Sequence, residues 1–126
     1  MTNVTIKNAP KTLKSSLKRA VTFLEKNKSS SAMYEDKRGC PCLIGSYFTK
    51  DQLAWIKEKQ INRKTIDTAT KIIGTKNLTA MTAMTVDQCY VLQDSFDMGN
   101  NETLLTNIKQ ILSGQRTRIS NVEFKL

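Results

Sequence analysis

The sequence predicts a mainly α fold of the α+β class: a single compact domain of about five short helices, with short N- and C-terminal strands placed to pair. Three observations predict it. Apolar residues recur at helical spacing in one segment after another, two segments open with a complete capping box, and short alternating runs mark both chain ends. At 126 residues with 39% hydrophobic content, one domain spanning 1–126 can bury its own core without metal or disulfide staples.

Val4 and Ile6 alternate with Thr5 and Lys7, a short strand signal. Asn8 then reads as an N-cap, with Pro10 tolerated in the first turn of a helix running to about Asn27. Leu13, Leu17, Ala20, Val21 and Leu24 form its inward stripe, and Lys11, Lys14, Lys18, Arg19 and Lys26 lie largely away from it. Residues 28–39, with three consecutive serines and a charged run, read as a flexible loop. From Cys42 to Phe48 the chain is apolar and interrupted by Gly45, a short buried strand or an irregular segment.

Thr49 and Gln52 form the first capping box, with Phe48 and Leu53 spaced as a hydrophobic staple. The helix it opens runs from Lys50 to about Gln60. A third follows Asn62 through Ile66, Ala69, Ile72 and Ile73 to Gly74, which suits the left-handed position after a helix end. Thr75 to Met84 is a Thr/Met-rich connection whose alternation fits a strand and whose propensity also allows a helical turn. Thr85 and Gln88 repeat the capping box, opening a helix from Val86 to about Met98 that buries Cys89, Leu92 and Phe96, with Val86 and Tyr90 alongside. Asn100 or Asn101 caps a fifth helix with Leu104, Leu105, Ile108, Ile111 and Leu112 on its apolar face, ending at Gly114. Val122, Phe124 and Leu126 then alternate with polar residues as a C-terminal strand.

Charge divides the chain. Residues 1–76 carry 16 Lys/Arg against 6 Asp/Glu, a net of +10, and residues 77–126 carry 4 against 5, a net of −1. A basic half beside a near-neutral half points to a polyanion-facing surface and a separate packing surface, although lysines also simply solvate helix faces. The segment Ile61-Asn62-Arg63-Lys64-Thr65-Ile66-Asp67 resembles the turn and recognition-helix start of many bacterial and phage helix-turn-helix proteins. That resemblance implies Ile61 and Ile66 as buried anchors, with Asn62, Arg63, Lys64 and Thr65 facing phosphates or base edges and Lys71 further along the same helix. The preceding helix departs from the pattern: Ile56 holds the small-residue position and Gln60 the usual glycine position, so two ordinary helices joined by a polar turn remain open. Lys11, Lys14, Lys18 and Arg19 form a second basic feature, able to track a phosphate backbone without reading sequence. Tyr34 and Tyr47 are the aromatics available for base stacking.

The function classes excluded are as informative. The chain contains no His, so the commonest general base and the usual nucleophile pairs are missing, and its five glycines are isolated rather than gathered into a phosphate loop. No enzyme, cofactor or metal is expected. Cys40, Cys42 and Cys89 have no His to complete a zinc set, and with no export signal they read as reduced thiols of a cytoplasmic protein. No apolar run approaches the roughly 20 residues of a membrane span. The expectation is a small, basic, non-enzymatic nucleic-acid-binding accessory or regulatory protein of a kind common in phages and mobile elements, with DNA ahead of RNA as its partner. The alternative is a protein-binding module or inhibitor whose basic face docks on an acidic or nucleic-acid-binding groove of a host protein.

Overall fold

The structure, a computed structural model, describes residues 9–26, 43–47, 49, 51 and 73–126. Over these it is mostly helical, with four α-helices and a two-stranded antiparallel sheet. The predicted strand at Val4–Ile6, the loop at 28–39, the pair Cys40 and Cys42 and most of the two basic helices between 50 and 73 lie outside the described residues.

The first helix, α1, spans Leu13–Lys26 and starts later than its sequence suggests. Ala9 to Thr12 are not helical. Proline disfavours the α region for the residue before it, so a helix entering through Ala9 and Pro10 is strained. Thr12 takes the N-cap instead. Its hydroxyl accepts from the Ser15 N–H at 3.1 Å, while the Ser15 hydroxyl lies 3.3 Å from the Thr12 N–H. The inward face carries Ser16, Leu17, Ala20, Phe23 and Leu24, all buried.

Ile44–Tyr47 forms a single 3₁₀ turn, so the described part of that apolar segment, residues 43–47, is not extended. Leu43 and Ile44 are fully buried, and the Ile44 N–H donates to Gln93 Oε1 at 3.0 Å. Further along, Thr49 is non-helical and Asp51 helical, the order expected of a helix start.

Gly74 does not take the left-handed post-helical conformation. Its φ of 98° and ψ of 134° make it the break between helical Ile73 and a new helix, α2, at Thr75–Thr82. Asn77 donates from Nδ2 to the Ile73 carbonyl at 2.8 Å, bracing that break. The Thr/Met-rich connection is thus helical, burying Leu78, Met81 and Thr82. It ends at Ala83, whose left-handed φ of 57° lets its N–H reach the Thr79 carbonyl at 2.7 Å.

Helix α3 spans Val86–Asp97 behind the predicted capping box: Gln88 N–H donates to Thr85 Oγ1 at 3.1 Å, and Thr85 N–H donates to Gln88 Oε1 at 2.9 Å. Helix α4 spans Asn101–Leu112. Both end in Schellman motifs. Asn100 N–H donates to Ser95 O and Gly99 N–H to Phe96 O, and Gln115 and Gly114 repeat the pattern onto Gln110 and Ile111. The glycine φ values of 79° and 83° explain why glycine stands at both ends.

The C-terminal strand, β2, Val122–Glu123, pairs with β1, Arg118–Ile119, in a tight hairpin. Ile119 and Phe124 are buried and Leu126 is exposed, so the predicted alternation holds for Phe124 and fails at the last residue. Gln88 Nε2 donates to the Glu123 carbonyl at 2.8 Å, joining the α3 cap to the hairpin. The core is one continuous cluster in which α1 packs chiefly on α4, α4 also contacts α3, and Phe23 meets Phe96 with ring centroids 5.6 Å apart.

Candidate nucleic-acid interface

Only part of the predicted basic surface falls within the described residues. Asn62, Arg63, Lys64, Thr65 and Lys71 lie outside them. Lys11, Lys14 and Lys18 are exposed, and Arg19 is half-buried. Lys14 and Lys18, four residues apart on α1, are neighbours on one exposed face of the helix. No Asp or Glu precedes Glu25 in the chain, and among the described residues no carboxylate pairs with Lys11, Lys14 or Lys18. The first turn of α1 holds no acid either, so Lys14 adds its charge to the positive end of the helix dipole. Such an arrangement gives up helix stability and raises the local positive potential.

Arg19 is held differently. Its guanidinium lies 5.5 Å from the centre of the Tyr47 ring, a cation–π distance. Tyr47 itself is 5% exposed, which removes it as a base-stacking platform. Its hydroxyl donates to the Ser16 carbonyl at 2.7 Å, and burial holds its phenol well above the usual range against the lowering effect of the Ser16 side chain. Ser16 Oγ donates to the Thr82 carbonyl at 2.6 Å. Thr82 Oγ1 lies 2.8 Å from Leu78 O and 3.5 Å from Cys89 Sγ, within hydrogen-bond reach of both. A polar seam from α1 through the 3₁₀ turn to α2 and α3 thereby fixes the base of Arg19. Burial pushes the Cys89 thiol up to about 12, against the Thr82 hydrogen bond, so it is a protonated core residue rather than a nucleophile.

One cation escaped the sequence reading. Lys18 and Lys109 flank a groove of about 470 Å³ between α1 and α4, with Val21, Thr22, Leu112 and Ser113 completing its walls. Lys109 also lies 3.6 Å from Glu25 in a solvent-exposed pair. It is the sole cation of α4, and nothing in the local sequence places it beside a helix more than 80 residues earlier. The groove presents ammonium groups and hydroxyls around an apolar floor, chemistry suited to a phosphate–sugar backbone.

Met81 and Met84 are buried, which removes them from any contact surface on the near-neutral half, whereas Met98 is 71% exposed. Among the described residues no group of three or more Cys, Asp or Glu side chains is placed to hold a metal ion, and no helix is long and apolar enough to cross a membrane. Comparisons with protein families, with curated proteins and with solved structures gave no match.

Proposed function

We propose that this chain is a non-enzymatic nucleic-acid-binding accessory protein that contacts phosphates through α1. The observation that carries this reading is the exposed Lys14–Lys18 pair of α1, in a stretch with no Asp or Glu before Glu25, with Lys109 across a groove and an Arg19 braced on Tyr47 alongside. These groups give affinity and register without base discrimination. Base reading is assigned to Arg63, with Lys64 on a phosphate and Asn62, Thr65 and Lys71 beside them, on the strength of the helix-turn-helix resemblance alone.

Fluorescence anisotropy with labelled duplex and single-stranded oligonucleotides over a salt series tests this. Affinity is expected to fall steeply with salt, and Lys14→Ala/Lys18→Ala is expected to flatten the log–log slope by about 0.9 per lost contact on duplex DNA. Arg63→Ala/Lys64→Ala separates the second basic segment. Wild-type protein without salt-dependent affinity for DNA or RNA overturns the proposal. A stoichiometric protein partner that survives nuclease treatment in that case supports docking of the basic face on a target protein instead.

A further inference from the structure

The longest stretch without a cation runs from Asn77 to Ile108, and it contains Asp87, Asp94, Asp97 and Glu102 in a chain whose net charge is +9. Three of these acids sit on α3, which has no Lys or Arg. Asp87, Tyr90 and Asp94 are exposed and recur at intervals of three and four, so they share the outward face of the helix. Tyr90 is 46% exposed and Met98, just past the helix end, 71% exposed; only Leu126 joins them as an exposed large apolar side chain among the described residues. Acid, aromatic and Met groups therefore lie together on one face, and among the described residues no cation pairs with Asp87 or Asp94. Burial raises the Asp97 carboxyl, the Gln93 amide at 2.7 Å lowers it, and the Asp94 charge raises it again. Like charges thus crowd this end of the helix.

A solvated acidic helix needs no explanation, but this one carries exposed apolar groups and complements a surface of the same molecule. Lys14 and Lys18 of α1 stand four residues apart on one exposed face, and Glu25, near the far end of the helix, is its only acid. Asp87 and Asp94 are seven residues apart, about 10.5 Å along the α3 axis. Two flexible lysine side chains can span that distance, one ammonium reaching each carboxylate while the aliphatic stems lie along the Tyr90 ring.

We infer that the Asp87–Tyr90–Asp94 face of α3 is a docking surface for the Lys14–Lys18 face of α1 on a second copy of this chain. A contact of one helix face on another buries less area than a standard interface, so the association is weak and steered by charge. It does not rest on the nucleic-acid reading, although both surfaces draw on Lys14 and Lys18.

Sedimentation velocity on protein freed of nucleic acid tests this directly. Self-association is expected at an ionic strength of about 0.01 M and loss of it at about 1 M, as the screening length shortens from about 30 to about 3 Å. Asp87→Lys/Asp94→Lys and Lys14→Glu/Lys18→Glu are each expected to be monomeric alone, and their mixture is expected to associate again. The substituted positions are exposed, and the circular dichroism of each variant reports whether it is folded. A wild type that is monomeric at low salt, or a mixture of folded variants that stays monomeric, overturns the inference. Because no oligonucleotide is present, this result stands apart from the anisotropy experiment.

Discussion

Cys89 shows how burial decides what a residue can do. Its thiol is fully buried, hydrogen-bonded to Thr82 and pushed up to about 12. Alkylation mapped by mass spectrometry is therefore expected to leave Cys89 unmodified in native protein and to modify it after denaturation. The pH dependence follows in sign. The folded state holds the thiol proton more tightly than the unfolded chain, whose value is near 9.0. That contribution is complete below pH 9 and is lost as pH rises towards the folded value. Urea unfolding is expected to show falling stability over this range, with a shallower fall in Cys89→Ala. Gln88 makes the second case at this scale. Its amide closes the capping box and also donates to Glu123 O, so Gln88→Ala is expected to cost about 1–2 kcal/mol, more than a cap alone. The cap was readable because Thr85 and Gln88 are neighbours in sequence; the Glu123 contact bridges 35 residues and had no local signal.

At the scale of elements, the turn residues were the readable part. Gly99 and Gly114 stop their helices because both positions need positive φ. Gly99→Ala meets no atom within 4 Å, so its cost is purely conformational, about 1–2 kcal/mol, measurable as a lower denaturant midpoint with unchanged slope. Helix α2 was the least readable element. In eight residues it buries Leu78, Met81 and Thr82, too few positions to separate a helical period from alternation. The cap of α1 was misplaced for a related reason: Asn8 and Thr12 both have capping side chains, and only the geometry imposed by Pro10 separates them. On α4, the helix on which α1 packs, Ile108 is fully buried, and Ile108→Ala is expected to cost about 2–5 kcal/mol in the same assay.

For the whole molecule, the hairpin closes the core. Phe124 is 1% exposed and its N–H donates to Thr117 O at 2.6 Å, while the α3 cap holds Glu123. Phe124→Ala is expected to cost about 3–5 kcal/mol, and thermal unfolding should register it as one of the largest single losses in the chain. The mainly α class was legible because it depends on local periodicity. The candidate interface was legible only in its parts: the sequence names the cations, but whether Lys18 stands near Lys109, or Tyr47 beneath Arg19, depends on packing between distant segments.

The seating of α1 on α4 also bears on the order in which the molecule assembles. Helices α2, α3 and α4 are consecutive, joined by short turns and bounded by their own stop signals, so their mutual contacts close small loops. Helix α1 must find α4 across more than 70 intervening residues, a search with a far larger entropic cost. The C-terminal helices are therefore expected to form the folding nucleus, with α1 docking after the rate-limiting barrier. In stopped-flow refolding, Leu92→Ala should chiefly slow folding, whereas Leu17→Ala should chiefly speed unfolding.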